Sequence, residues 1–300
     1  MNPHSKPVSL CACALAACAM LSSCGGSGGG AAPTVTAPAT GSPMYGHPLL
    51  LTVNGSNLDQ GLAVTSSAAC PGAVLVNTAP LLSTATTAYY QCTAAGVGEG
   101  RFVLKSAIDG GTLTTVPFTV PLPQVTMTMS NGAAVDGTLV VTLVPDRAPI
   151  TVDNFLAYVN AGFYDGTVIH RVVTDFVIQG GGYAGPVDAS TEPAATKPVN
   201  APIPLEANVG LSNAQWTIAM ARTGAPNSAT SQFFINLVDN SAILDANPFQ
   251  AGYAVFGIVT AGTDTVTSTA AAPCTSTAVS GAGDCTPIPN VVLTSAVQTR

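Results

Sequence analysis

The stretch Phe163-Tyr164-Asp165-Gly166-Thr167-Val168-Ile169-His170-Arg171-Val172-Val173-Thr174-Asp175-Phe176-Val177-Ile178-Gln179-Gly180-Gly181-Gly182 decides how the larger part of this chain is read. β-Branched and aromatic residues dominate it, and Asp165-Gly166 and the triple glycine bound it with turn chemistry. It reads as two consecutive strands, 167–173 and 175–179, meeting at Thr174-Asp175. A single basic side chain, Arg171, lies among Ile, His and Val, in a chain with only 8 Lys and Arg in 300 residues. Such an arginine snorkels to the surface, pairs with Asp175, or is placed there for chemistry. His170 is the only histidine beyond His47, so any Ser-His-Asp triad in this region would have to use it. In the middle of an apolar strand it reads more simply as a packed structural imidazole.

Outward from this hairpin, further strands are expected at 124–129, 138–144, 215–221, 231–237, 253–259 and 290–297. One helix interrupts them. Thr151 is its expected N-cap, Phe155, Leu156 and Val159 supply the helical spacing, and Gly162 marks the stop. Eight short strands and few helices make residues 123–300 a mainly β domain, closed as a barrel. Before it, residues 44–122 show short alternating segments: Leu49, Leu51 and Val53, then Phe102 and Leu104, then Leu113, Val116 and Phe118. Asn-Gly, Pro-Gly and Gly-Gly turns separate them, the pattern of a small β-sandwich. Tyr90-Gln91-Cys92 resembles the Tyr-x-Cys of immunoglobulin-like folds, although the region holds no Trp. Residues 24–43 are Gly, Ser, Ala, Pro and Thr without charge or period, and read as a flexible linker.

Composition excludes several classes. Apolar residues make up 47% and charged ones 8%, and the formal charge is −7 with a pI near 4.6. That is no disordered chain. Eight scattered basic residues cannot build the positive stripe a nucleic-acid backbone requires. The eight cysteines stand at 11, 13, 18, 24, 70, 92, 274 and 285. The first four fall in a segment with His4 and Lys6 at its head, an apolar run from Val8 to Met20, and Leu21-Ser22-Ser23-Cys24-Gly25 at its end. A basic head, a short apolar run and small residues describe an export signal over 1–23, too short for a permanent span of about 20 residues. Leu-Ser-Ser-Cys resembles the bacterial lipobox, which makes Cys24 the lipidated residue; an ordinary cleaved signal is the alternative. Gly25 in place of Asp after the Cys favours, by that resemblance, the outer membrane. The chain is then expected in the cell envelope, on the periplasmic face. The four remaining cysteines of an exported chain read as disulfides, Cys70 with Cys92 and Cys274 with Cys285, each with its near neighbour. A zinc site would lack a nearby His and any Cys-x-x-Cys. No His-Glu-x-x-His, phosphate loop or Gly-x-Ser-x-Gly elbow is present, so no metal or cofactor is expected.

Four blocks carry a family resemblance: RAPITVDNFLAYVNAGFYDG (147–166), FYDGTVIHRVVTDFVIQGG (163–181), TIAMARTGAPNSATSQFFI (217–235) and GYAVFGIVTAG (252–262). In this order they resemble the cyclophilin-type peptidyl-prolyl isomerases, above all the small periplasmic ones of Gram-negative bacteria. The resemblance implies an eight-stranded antiparallel barrel capped by helices, behind the Ig-like sandwich. It implies Arg171 as the catalytic arginine, and Gln179 as the group that bonds the substrate backbone and helps hold the arginine. Phe176, Phe234 and Leu244 would wall the proline pocket, with Val177 where the family usually has Met. Ala221, Arg222 and Gln232 would line the groove beside it, together with Tyr253, where a His is common. Strand parity puts Gln179 and Val177 on one face but leaves open which of Phe233 and Phe234 faces the groove; the resemblance assigns Phe234. A position often held by Trp falls at Ile243, which implies weak cyclosporin sensitivity. Trp216 stands where relatives have a small residue.

Rotation about an X–Pro bond faces a barrier of about 18–20 kcal/mol set by amide resonance, and no covalent bond breaks. A catalyst therefore needs no nucleophile. It must hold the twisted state, with its pyramidal prolyl nitrogen, more tightly than the planar amide. The expected partners are proline-containing segments of exported proteins and a membrane reached through the lipid, for a monomeric enzyme. A non-catalytic scaffold or chaperone that holds proline peptides is the alternative.

Overall fold

Alternating β-branched, small and aromatic residues build most of this chain from short antiparallel strands. The computed structural model describes residues 31–187, 195–281 and 284–300. The expected signal peptide, Cys24 and the first part of the expected linker lie outside them. The N-terminal region has β1 (Thr34–Val35), β2 (Ala39–Thr40), β3 (Pro48–Ser56), β4 (Leu62–Ser66), β5 (Val74–Val76), β6 (Thr87–Thr93), β7 (Gly98–Ser106) and β8 (Thr112–Val120). One sheet runs β1-β3-β6-β5, with β2 also on β3; a second runs β4-β7-β8. Leu49, Leu51, Val53, Phe102, Leu104 and Phe118 are buried, as their alternation required, whereas Leu113 and Val116 are only half-buried. Tyr90 on β6 donates its hydroxyl to the Leu62 carbonyl on β4 at 3.0 Å, tying one sheet to the other. The Cys70–Cys92 disulfide forms as paired from the sequence.

The expected linker over 24–43 is corrected from Thr34 onward. Thr34 and Val35 pair with Ser56 and Gly55, and Ala39 and Thr40 with Thr52 and Leu51. The nine-residue β3 leaves backbone donors and acceptors open along that edge, and an uncharged Ala/Thr segment can take them. Gly55 allows the approach, since a Cβ there would collide with the Thr34 carbonyl. No hydrophobic period marks such pieces, so composition alone cannot reveal them.

The second region has β9 (Gln124–Ser130), β10 (Asp136–Leu143), α1 (Pro149–Asn160), β11 (Thr167–Val173), β12 (Val177–Ala184), β13 (Thr217–Met220) and β14 (Phe233–Asn236). After these come α2 (Ser241–Leu244), β15 (Val255–Ala261), α3 (Thr263–Ala270), β16 (Cys274–Thr275), β17 (Thr286–Pro287) and β18 (Val292–Gln298). Eight strands close as β10-β15-β13-β14-β12-β11-β18-β9, each pair antiparallel. Closure removes every sheet edge. The second disulfide, Cys274–Cys285, clips the β16–β17 hairpin, whose strands pair Cys274 with Pro287.

Helix α1 drives Phe155 into the core, where its ring meets Tyr164 at 5.3 Å, Phe256 at 5.0 Å and Phe233 edge-on at 6.1 Å. Its start is not the expected one. Ala148 is the N-cap and Pro149 the first helical residue, which has no N–H to leave unpaired. Thr151 lies inside the first turn. The Glu206 carboxylate caps the turn from elsewhere in the chain: it accepts the Ile150 N–H (3.2 Å), the Thr151 N–H (2.7 Å) and the Thr151 hydroxyl (2.7 Å). An anion at a helix N-terminus also meets the positive end of its dipole. Gly162, at φ +63°, ends the helix as expected.

Candidate active site

Register assembles the site. In the β11–β12 hairpin Arg171 lies opposite Gln179. Across the next ladder Gln179 lies opposite Phe234, and Phe234 in turn opposite Ala219. Residues directly opposite on paired strands share a face. Four strands thus set Arg171, Gln179, Phe234 and Ala219 in one row on one side of the barrel wall. Phe233, the next residue along β14, points the other way and packs edge-on against Tyr164 at 5.6 Å. The choice that parity left open falls to Phe234. The turn before β12 tightens at Asp175, which adopts φ +53° and leaves Phe176 at the strand's mouth.

Arg171, Phe176, Gln179 and Phe234 border a hollow of about 210 Å³. Val177, Phe234 and Leu244 form its buried floor, backed by Ala219 and Val255, with Phe176 and Tyr253 packed against them. The Phe234 and Tyr253 rings meet edge-to-face at 5.5 Å. Arg171, Gln179, Ala221 and Arg222 complete the rim. The floor is therefore apolar and the rim carries donors. All the pocket and groove residues named from the sequence border this hollow except Gln232. That residue borders an adjoining recess of about 160 Å³ with Gln179, Arg222, Thr223 and Ser228. Ile243 is 60% exposed and lies outside the hollow's lining.

A chain of polar contacts runs along the rim. Arg171 Nη1 donates to Gln179 Oε1 at 3.1 Å, and Gln179 Nε2 donates to Gln232 Oε1 at 2.8 Å. Arg222 is held separately. Its Nε donates to the Gly252 carbonyl and its Nη1 to that of Thr223, both at 2.9 Å, and its guanidinium stacks over Tyr253 at 4.5 Å. The triple glycine gives room for this chain: a Cβ at Gly182 would lie 2.5 Å from Gln232 Nε2, and Gly181, at φ +79°, would bring one within 2.9 Å of the Ser231 carbonyl. What the sequence marks as a turn is a close approach of two strands.

Two structural readings of the hairpin are settled by contacts. Arg171 does not pair with Asp175. Its Nε donates to Asp284 Oδ2 at 2.6 Å. Asp284 is the site residue that the sequence did not disclose; it sits 113 positions away in a loop without a motif, and no local signal points to it. His170 is buried beside Tyr183, its ring 4.8 Å from the tyrosine's, and its Nδ1 has no hydrogen-bond partner among the described residues. Burial pushes its pKa down to about 4, so it stays neutral and takes no part in a triad. Among the described residues no three His, Cys, Asp or Glu side chains gather to hold a metal. A larger recess of about 370 Å³ lies between Tyr45, Thr93 and α1. Its ionisable groups, Tyr45 and Asp153, bond each other at 3.0 Å.

Residues 124–297 match the family model described as cyclophilin type peptidyl-prolyl cis-trans isomerase/CLD. The protein named peptidyl-prolyl cis-trans isomerase cyp18 of Streptomyces antibioticus is 51% identical over 132 residues, 43% of this chain and 75% of that protein. A peptidyl-prolyl cis-trans isomerase of Acinetobacter baylyi is 48% identical over 137 residues, 46% of this chain and 69% of that one. Peptidyl-prolyl cis-trans isomerase B of Escherichia coli is 48% identical over 132 residues, 43% and 76% respectively.

Proposed function

The chain belongs to the cyclophilin-type family and is a peptidyl-prolyl cis-trans isomerase, and from that premise we propose that it works by presenting the Arg171 guanidinium to a twisted prolyl nitrogen. The observation that carries this reading is the row of Arg171, Gln179 and Phe234 across adjacent strands, above one apolar floor. A proline ring seats against Phe176, Phe234 and Leu244, because burying apolar area is favourable and demands no polar partner. Arg171 has five N–H donors, and Asp284 and Gln179 take one each. Three are left for the substrate. In the planar amide the nitrogen lone pair is delocalised; at the twisted midpoint it is localised and accepts a hydrogen bond. The guanidinium therefore gains most at the midpoint, which is what lowers a barrier. Gln179 keeps one Nε2–H for a backbone carbonyl of the peptide. Ala221, Arg222, Gln232 and Tyr253 receive the residues flanking the proline.

We further propose that Cys24 carries a lipid that anchors the enzyme in the cell envelope, on the periplasmic face of the outer membrane. Its clients there are unfolded exported proteins. The Ig-like sandwich serves as a spacer or second contact surface for a monomeric enzyme. The lipobox residues Leu21–Cys24 support the anchor, and two disulfides suit an oxidising compartment. Expressed in a Gram-negative host, the wild type should partition with membranes and Cys24→Ser with the soluble fraction. Equal partitioning of the two would remove the anchor from the account.

The catalytic reading is tested by following cis-to-trans relaxation of a proline tetrapeptide. Arg171→Ala should lose about a hundredfold in kcat/KM, roughly 2.7 kcal/mol of transition-state stabilisation, while peptide affinity measured by titration stays close to wild type. A variant as fast as the wild type would leave Arg171 without a catalytic role.

A further inference from the structure

The guanidinium of Arg171 is gripped twice, by Gln179 at Nη1 and by Asp284 at Nε. The second grip is the shorter, 2.6 Å, and both partners are largely shielded, with side chains 28% and 19% exposed. The other ion pair among the described residues, Arg147 with Asp146, spans 3.9 Å between two exposed side chains. Asp284 is itself fixed to the strand that carries Arg171. Its neighbour Cys285 exchanges backbone hydrogen bonds with Val172, at 2.7 and 3.2 Å. Thr286 donates its hydroxyl to the His170 carbonyl at 2.6 Å. The two residues following Asp284 thus dock on the two residues flanking Arg171. Ser276 and Ser280 donate to the Asp284 carbonyl at 3.0 and 3.3 Å, and the Cys274–Cys285 disulfide closes the loop behind it.

We propose that Asp284 is a positioning residue for the isomerase reaction: it fixes the Nε edge of the Arg171 guanidinium so that the remaining N–H groups stay aimed at the substrate, and the disulfide-clipped loop holds it there. This rests on the reading of Arg171 as the group that meets the prolyl nitrogen. A long arginine side chain has many rotamers, and one hydrogen bond to Gln179 leaves the planar fork free to pivot about it. A second bond at Nε removes the pivot. A carboxylate so close also draws on the positive charge offered to the substrate, so orientation must outweigh that loss.

Asp284→Ala and Asp284→Asn are made in the full chain, each with Arg171 intact and with Arg171→Lys. NMR line shapes of a proline tetrapeptide report turnover on the enzyme, and a titration reports Kd. The expected result is an approximately tenfold fall in kcat for Asp284→Ala with Kd within about twofold. Asp284→Asn, which keeps an acceptor oxygen, should recover most of the rate. In the Arg171→Lys background, where the Nε–H is gone, Asp284→Ala should cost far less, which a loop that merely misfolds would not produce. Wild-type turnover by Asp284→Ala, or an equal loss in both backgrounds, overturns the proposal. The outcome is separable from that of the catalytic reading. If Arg171→Ala keeps its rate the catalytic reading itself falls; if Arg171→Ala is slow and Asp284→Ala is not, only the positioning role does.

Discussion

Burial holds the His170 imidazole at a pKa of about 4, and the charge of Arg171 beside it pushes in the same direction. In the unfolded chain the same group titrates near 6.5. The unfolded state therefore binds more protons between those values, and stability present above pH 6.5 is lost as pH falls towards 4. The shift corresponds to roughly 3 kcal/mol. His170→Phe keeps a ring against Tyr183 and removes the titration. Denaturant unfolding of both proteins at pH 7 and pH 4 should show the wild type losing about 3 kcal/mol more than the variant. Parallel losses would mean that the imidazole is not held neutral by the fold. That Arg171, Phe176, Gln179 and Phe234 gather at one hollow is legible at this scale. They lie in contiguous motif blocks, and strand parity already placed part of them together. Asp284 was not legible, because an ion pair closed across 113 residues leaves no trace in local pattern.

At the scale of the element, the barrel strands fall within a few residues of where alternation and turn residues put them. The deviations have causes. β12 begins at Val177 and not at residue 175, because Asp175 adopts φ +53° in the turn. It runs on to Ala184 through three glycines that look like a stop, because β11 at Gly180 and the Ser231–Gln232 segment before β14 at Gly181 and Gly182 come close enough to exclude side chains there. Apolar spacing locates helix α1, yet its cap is not the expected Thr151. The local rule looks for a Ser, Thr, Asp or Asn just before the helix, and the acceptor used is Glu206, 55 residues on. Pro149 at the first position was the better local clue. The strands β1 and β2 leave no sequence signal, for the opposite reason. Two-residue pieces without apolar alternation exist only because β3 presents an edge for them.

At the scale of the whole molecule, motif and composition divide the chain near residue 122, but the contacts join what they divide. Gln298, at the end of β18, is buried and donates from Nε2 to the Tyr45 carbonyl at 2.9 Å. Its Oε1 accepts from Asn160 of α1 at 3.2 Å and meets His47 Nε2 at 3.1 Å. Tyr45 then donates to Asp153 of α1 at 3.0 Å, and burial followed by that carboxylate holds its phenol far above the usual tyrosine range. One glutamine of the barrel thus bonds groups from the sandwich region and the helix. Truncating it leaves the carbonyl of buried Tyr45 without this partner, while exposed Asn160 can turn to water, and an unsatisfied buried group costs about 1–3 kcal/mol. Gln298→Ala should lower the urea midpoint accordingly while the isomerase rate holds, because none of these groups lines the hollow. Trp216, the only tryptophan, sits at the head of β13 and reports the barrel, whereas far-ultraviolet circular dichroism reports both sheet regions. In the wild type the two signals should trace one transition, since a seam of shared hydrogen bonds makes either half costly to open alone. A fluorescence transition displaced from the dichroism transition, or an unmoved midpoint in Gln298→Ala, would show instead two bodies that touch without stabilising one another.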